Sequence, residues 1–428
     1  MNPGPIIRAA CFAFLLISLC ALSPYSPAQS FTLLHNFSGA ADGANPYAGL
    51  TIDGAGNLLG TASVGGLGYG TVYKLKHSQS GYTFNLLYSF TGGSDGAYPY
   101  NGVVIGSDGS LYGSTFLGGS GCGGNGCGTV FNLRPPATFC RTVLCPWTET
   151  VLHDFLAGND GSEPTQGTNV IFDPMGNIYG TTEFGGAYGQ GTVYKLTRSG
   201  GGWTESVIHS FGAGGDGTQP LHNVILDAGG NLYGTTSYGG ANDAGVVFQL
   251  LPSGSGWTEN ILVSFSLNGG AGGIPFGGLL FDRAGNLYGA TSANSTAGPP
   301  FGYGGGGAVF ELIPSGGSWT LKALYNFPGF AGGYHCGPYG NLLMDAAGNL
   351  YGTTYSDGAY GYGSVFKLTP ASGQWTYTAL HDFCGNGPPC LDGRLPSGDL
   401  TMDTAGNLYG TASRGGTSDN GVVWKITP

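Results

Sequence analysis

Charge is scarce in this chain. Of 428 residues, 13 are Lys or Arg and 24 are Asp or Glu, so charged side chains make up 9% of the sequence, against about 25% in an ordinary soluble domain. The formal net charge is −11, so the basic footprint that nucleic acids and anionic membrane surfaces attract is missing. No stretch keeps a 3.6-residue apolar period, which leaves almost no helix to assign. Beyond residue 28 no apolar run is long enough to span a bilayer, so no transmembrane segment is expected in the mature chain. There is no phosphate-binding loop, no His-Glu-x-x-His and no nucleophile elbow. Glycine spacings of the dinucleotide-binding kind occur, as they must in so glycine-rich a chain, but no βαβ unit surrounds them. We therefore expect no cofactor, no metal and no catalytic residue.

Glycine is plentiful instead, at 86 residues, about three times its usual share. It has no period of three, which excludes collagen. Aromatic residues reach 13%, which excludes ordinary disorder. Residues 1–28 read as a secretory signal peptide: Arg8, a mostly apolar Ala9–Leu22, and Ser-Pro-Ala-Gln at 26–29 with cleavage after Ala28. Acylation at Cys20 is disfavoured by Leu19, which stands where a small residue is needed. The expected location is extracellular, periplasmic or cell-surface.

The phrase Asp-x-x-Gly-Asn-Leu-Tyr-Gly-Thr-Thr recurs, with its Asn position at Asn57, Ser110, Asn177, Asn231, Asn286, Asn349 and Asn407. Gly-Thr-Val-Tyr-Lys-Leu (70–75, 191–196) and Trp-Thr-x-x-x-Leu-His-x-Phe (147–155, 203–211, 375–383) travel with it. Each unit holds four short β-rich runs bounded by turn residues. In the third unit these are 169–172, 177–182, 192–196 and 148–155. Seven units of four strands predict an all-β, seven-bladed β-propeller; a parallel β-helix, the rival, has much shorter rungs. Let the strands be a (the 50–53 type), b (57–61), c (71–75) and d (Trp-Thr…Phe). After the leader the chain begins with a lone d strand at 31–37 and finishes with a, b and c. Pairing of 31–37 with 422–426 would close the ring and leave no orphan edge. Residues 29–428 would then form one propeller domain.

The unit Gly-Asn-Leu-Tyr-Gly-Thr-Thr…Gly-Gly…Gly-Thr-Val-Phe/Tyr-Lys-Leu resembles the GloVer tandem repeat of exported bacterial proteins, often grouped as "choice-of-anchor". The resemblance covers about 30–428. Some relatives end in a surface-anchoring signal that is not seen here. The Asp-x-x-Gly-Asn-Leu-Tyr hairpin is also similar to the a–b hairpin of NHL-type propellers. The resemblance implies an exported repeat protein and no particular activity.

Seven cysteines follow the leader. Cys122/Cys127, Cys140/Cys145 and Cys384/Cys390 are candidate local disulfides, with cross-pairing of the first four left open by spacing. Cys336 is left over as a buried thiol. Zinc is disfavoured because close Cys spacing with a nearby His is lacking.

His35, His153, His209 and His381 occupy one position of strand d, where other units carry Tyr88, Tyr325 and Val263. They should be spread round the rim, in packing or hydrogen bonds between blades. The turn Asp at 53, 173, 227, 282, 345 and 403 should accept backbone N–H groups. Trp147, Trp203, Trp257, Trp319 and Trp375 should pack on the next blade. The strand c Lys, replaced by Asn132, Gln249 and Glu311, should face solvent.

The candidate ligand face gathers the d-to-a and b-to-c loops. The first type reads Asp-Gly-x-x-Pro, at Asp42, Asp95, Asp160, Asp216 and Asp392; 272–275 and 335–338 break the pattern. The second carries Glu183, Tyr188, Tyr238, Tyr303, Tyr355 and Arg414, with Phe116 and Tyr360. We take Asp42, Asp95, Asp160, Asp216, Glu183, Tyr188, Tyr238, Tyr355 and Arg414 as ligand-binding candidates, since aromatic faces stack on sugar rings while carboxylates accept hydroxyl hydrogen bonds. The bland alternative is that each Asp only caps its turn. Calcium would need about six to eight oxygens, which one Asp per blade does not assemble. The expectation is a secreted or surface-associated propeller binding an extracellular polysaccharide or envelope protein. The alternatives are a polysaccharide lyase or glycoside hydrolase acting at the central mouth, and a purely structural surface protein.

Overall fold

The computed structural model describes residues 29–136, 147–165, 169–254, 256–294, 305–329 and 337–428. The leader 1–28, Cys140, Cys145, Cys336, Tyr303 and His335 lie outside the described residues. Within them, seven antiparallel sheets form a closed β-propeller, each running a-b-c-d outward from the axis. Blade 1 is Thr51–Ile52, Leu58–Ala62, Thr71–Ser78 and Gly81–Ser89. Strand a holds only two residues in most blades, because space runs out near the axis.

The repeated Leu-Tyr-Gly-Thr has a packing cause. The strand b glycine sits opposite the aromatic of strand c, as Gly60 opposite Tyr73 and Gly234 opposite Phe248. A Cβ on Gly234 would lie 2.5 Å from Phe248 Cζ, and one on Gly410 2.4 Å from Trp424. Each aromatic therefore occupies the space that a side chain on the glycine would need, and is fully buried. Strand c–d pairing slips by one residue at one place in every blade. The extra residue is always Leu or Ile: Leu34, Leu87, Leu152, Ile208, Leu262, Leu324 and Leu380. Such a bulge re-aims a side chain, and here it turns the aliphatic group into the apolar junction with the following blade.

Closure follows the expected register. Ser30–Asn36 pairs with Val422–Thr427, from Ser30 opposite Thr427 to Asn36 opposite Val422, and its bulge falls at Leu34. The first strand is thus a genuine d strand of blade 7.

Neighbouring blades are also joined near the axis. The residue before each loop proline donates its N–H to the preceding blade, as in Asn45 to Asn420 O (2.8 Å), Gln219 to Gln190 O (2.9 Å) and Leu395 to Tyr362 O (2.8 Å). To do so Asn45, Tyr98, Glu163, Gln219, Ile274 and Leu395 adopt φ between 54° and 58°, a costly region for non-glycine residues and most of all for Ile. The proline then fits over a glycine: a Cβ on Gly70 would meet Pro99 Cδ at 2.4 Å, and one on Gly421 would meet Pro46 Cδ at 2.5 Å.

The turn aspartates cap as expected. Asp173 accepts from Met175 N and Asn177 N, both at 2.9 Å, and from Tyr179 OH at 3.1 Å. Blade 1 has Leu59 in place of that tyrosine, and Lys74 reaches Asp53 at 3.0 Å instead. Two expectations are corrected. The tryptophans pack on the preceding blade, with Trp319 against Tyr233 (6.3 Å) and Trp375 against Tyr288 (6.4 Å). The strand c lysine position faces this same junction rather than solvent: Lys195 lies over Tyr179 and Lys367 over Tyr351, Gln249 donates to Tyr233 OH at 2.7 Å, and Asn132 is buried.

Cys122–Cys127 and Cys384–Cys390 are disulfides, with Cα separations of 5.2 and 4.3 Å. Among the described residues no helix is long and apolar enough to cross a membrane.

Candidate functional site

The d-to-a loop aspartates are engaged with their own turns and with strand d. Asp42 takes His35 Nε2 at 3.1 Å and Ser38 N at 2.9 Å. Asp95 takes Tyr88 OH and Thr91 N, both at 2.9 Å. Asp160 takes His153 at 3.1 Å and Leu156 N at 2.8 Å; Asp216 takes His209 at 3.2 Å and Gly212 N at 3.1 Å; Asp392 takes His381 at 2.9 Å. The strand d histidines and the loop aspartates, read separately in the sequence, are thus one device. The sequence signal was the constant seven-residue step from His35 to Asp42, Tyr88 to Asp95, His153 to Asp160 and His209 to Asp216.

A second blade adds to this device. Phe84 stacks on His35 at 4.5 Å, Phe31 on His381 at 3.9 Å and Tyr377 on Tyr325 at 4.8 Å. At three other junctions that position is Glu149, Glu205 or Glu259. His153, Asp160 and Glu205 bring one ligand-type atom each within 4.8 Å of one another, as do His209, Asp216 and Glu259. Burial, then the adjacent Asp, pushes each of these glutamates up to about 7. A proton on the glutamate accounts for the closeness of the two carboxyl groups. Tyr88 replaces His at the first of these junctions and keeps the bond to Asp, which marks a hydrogen-bonded joint rather than an ion site.

The axial face is different. A cavity of about 400 Å³ opens there, lined by Tyr47, Tyr100, Glu183, Gln219, Leu221, His222, Tyr238, Phe276, Tyr339, Tyr355 and Ser397. Glu183, Tyr238 and Tyr355 come together in it from the sequence candidates. Asp42, Asp95, Asp160, Asp216, Tyr188 and Arg414 do not line it; Tyr188 is exposed on its loop. A larger open groove of about 1090 Å³ runs along the rim beside Phe31, His381 and the Cys384–Cys390 loop, and its polar lining includes the bonded pair His381 and Asp392.

Two fixed positions build the mouth. The first follows the loop proline: Tyr47, Tyr100, Leu221, Phe276, Tyr339 and Ser397 line the mouth from there, and Thr165 of blade 3 does not. The second follows strand b. Ser63, Ser237, Ser292 and Ser413 there donate to the loop carbonyls of Asn45, Pro275, Ile274 and Leu395, whereas Phe116, Glu183 and Tyr355 break the pattern. The first position was missed in the sequence; its signal is free variation beside an invariant proline.

The lining is segregated. Tyr47 and Tyr100 form one aromatic run, with centroids 5.2 Å apart, which continues outside the lining to Phe116, 5.3 Å from Tyr100. Phe276, Tyr339 and Tyr355 form another, at 5.0 and 5.1 Å. Glu183, Gln219 and His222, from blades 3 and 4, form a polar arc. Burial, then Glu163, pushes the Glu183 carboxyl up to about 7. Burial lowers the His222 imidazole to about 3, so it is neutral. Neither ring nitrogen of His222 has a hydrogen-bond partner among the described residues. Burial raises Tyr100, Tyr339 and Tyr355, keeping them phenolic. Such a site offers stacking faces and a hydroxyl-reading edge.

The family model of the Gloeobacter/Verrucomicrobia repeat matches residues 21–145, 143–334 and 263–428. No curated protein matches the sequence. Among solved structures, an oxidoreductase of Thermus thermophilus described as a glucose dehydrogenase is 15% identical, with 93% of this chain and 100% of that chain covered and a TM-score of 0.46. A protein of Bacteroides uniformis described as a 6-phosphogluconolactonase is 12% identical, covering 83% of this chain and 95% of its own, with a TM-score of 0.48. At this level the likenesses say nothing about chemistry.

Proposed function

The chain belongs to the Gloeobacter/Verrucomicrobia repeat family, and from that premise we propose that its ring serves as an exported scaffold whose axial mouth binds an extracellular polysaccharide. One observation carries this reading. The mouth sets two aromatic runs against an arc of Glu183, Gln219 and His222, which suits ligands with apolar faces and hydroxyl edges. The two disulfides are compatible with export. A purely structural role fits the loop aspartates, which cap turns, but it gives no reason for six aromatic side chains, Tyr47, Tyr100, Tyr238, Phe276, Tyr339 and Tyr355, to gather round one concave opening. The test is retention of the purified chain on a panel of insoluble polysaccharides, compared with Tyr238→Ala/Tyr355→Ala. Retention by the parent and loss in the double variant, with unchanged melting, is expected. Equal retention by both, or none by the parent, would remove the reading.

An enzymatic reading keeps one foothold, since a carboxyl held near neutral pH is suited to proton transfer and Glu183 lies in the mouth. Release of soluble sugars from a retained polymer, abolished by Glu183→Gln while retention survives, would establish it.

A further inference from the structure

The loop between blades 6 and 7 carries an excursion of its own. From the strand d His or Tyr to the loop Asp the step is seven residues at 35–42, 88–95, 153–160 and 209–216, but eleven at 381–392. Cys384 and Cys390 hold the places of Ser38 and Ala40; one residue separates the latter pair, and five separate the cysteines. Hydrogen bonds establish the correspondence. Ser38 N donates to Asp42 at 2.9 Å, and Cys384 N to Asp392 at 3.0 Å. Ala40 O accepts from Gly43 N at 3.1 Å and Gly66 N at 2.8 Å, and Cys390 O accepts from Gly393 N and Gly416 N, both at 3.0 Å. The disulfide joins the two ends of the excursion, with Cα atoms 4.3 Å apart, so the chain beyond it resumes the geometry of the shorter loops.

This excursion stands at the seam of the ring. Asp392 holds His381 at 2.9 Å, and Phe31 of the closing strand stacks on His381 at 3.9 Å with 11° between the rings. Phe31 also meets Phe383 edge-on at 6.0 Å. Gly416, which donates to Cys390 O, belongs to the b-to-c loop of blade 7, the blade that the first strand completes. Both cysteines are buried. Without the bridge, Asp392 and the Cys390 carbonyl would have to be placed by a longer free loop, at an entropic cost that a cross-link lowers. The other described disulfide, Cys122–Cys127, lies in the b-to-c loop of blade 2, away from the seam.

We propose that Cys384–Cys390 is a redox lock on ring closure: the first strand is held firmly only once this bridge has formed, so the propeller completes itself in an oxidising compartment. The step is thiol–disulfide exchange with an organic disulfide as oxidant. One cysteine thiolate attacks that disulfide and releases one thiol, and the second thiolate attacks the mixed disulfide and releases the other. The two cysteines lose two protons and two electrons, and the oxidant leaves as two thiols. With both thiols free the loop is slack, Asp392 and His381 lose their fixed places, and Phe31 loses its stacking partner.

Hydrogen exchange followed by mass spectrometry tests this on the purified chain. In Cys384→Ser/Cys390→Ser the amides of 30–36 and 422–427 should exchange about tenfold or more faster than in the parent, while those of 192–199 and 246–253 keep the parental rate. Cys122→Ser/Cys127→Ser should leave 30–36 and 422–427 at the parental rate. A further variant, in which 384–390 is replaced by the Ser-Gly-Ala of 38–40, restores the seven-residue step without a bridge. Its first strand should be as protected as the parent's and indifferent to reductant, whereas reductant should loosen the first strand of the parent; this comparison decides if the double serine variant does not fold. Parental exchange at the seam in Cys384→Ser/Cys390→Ser, acceleration spread evenly over all blades, equal loosening in Cys122→Ser/Cys127→Ser, or a first strand in the shortened chain that loosens in reductant as the parent's does, overturns the lock.

Discussion

At the scale of single residues, the repeat phrase encodes contacts rather than chemistry. Gly234 is glycine because Phe248 occupies the space a methyl group would need. Gly234→Ala should therefore destabilise the protein by about 1–3 kcal/mol, the usual range for overpacking, as read from urea unfolding. Gly230→Ala in the a–b turn meets no atom within 4 Å but has φ +80°, so its cost is conformational. The five His/Tyr–Asp joints were within reach of sequence reasoning, because their spacing is constant in all but the last. The mouth residues were only half legible: Glu183 and Tyr355 stand out where other units carry serine, but nothing in one unit tells that the residue after the loop proline converges with five others. That convergence is made by the ring.

At the scale of elements, the junctions differ along the ring while keeping one geometry. The outer strand position that meets the neighbouring His or Tyr is Phe31, Phe84 or Tyr377 at stacked junctions and Glu149, Glu205 or Glu259 at polar ones. The polar ones make stability depend on pH. Glu205 faces Asp160 and His153, Glu259 faces Asp216 and His209, and Glu149 faces Asp95 and Tyr88. Folding raises these three carboxyls from 4.5 to about 7, so between those values the folded state holds protons that the unfolded chain has released. Their stabilising contribution is full below 4.5 and is lost as the pH rises toward 7. The triple variant Glu149→Gln/Glu205→Gln/Glu259→Gln should melt close to the parent at pH 4 and above it at pH 8. A parent that is no less stable at pH 8 relative to the variant would contradict the raised values. The turn aspartates act in the other direction: hydrogen bonds from Asn57 and Lys74 hold Asp53 down to about 2, so its contribution is lost only in strong acid.

At the scale of the whole molecule, closure is the decisive event. The first described strand completes the last blade, covering the edge of Val422–Thr427 and seating Phe31, Leu33, Leu34 and Phe37 in the junctions on either side. A chain beginning at Ser38 loses these side chains, each worth about 1.5–3 kcal/mol when buried, and bares a strand edge that invites association. It should unfold at distinctly lower urea and show concentration-dependent assembly in sedimentation. A monomer of parental stability would mean that the ring does not depend on its seam.

The repeat phrase, its sevenfold count and the phase of its first and last strands were enough, on their own, to specify the propeller and its closing pair. Those features are local or periodic: glycine opposite an aromatic, a turn aspartate, a strand missing at one end and present at the other. Tertiary structure alone decided which loop side chains share a cavity, which way Trp319 and Lys195 face, and that the loop aspartates turn back onto strand d. These depend on the rotation between blades, which brings residues about fifty positions apart to one axis, and no spacing within a unit carries that angle.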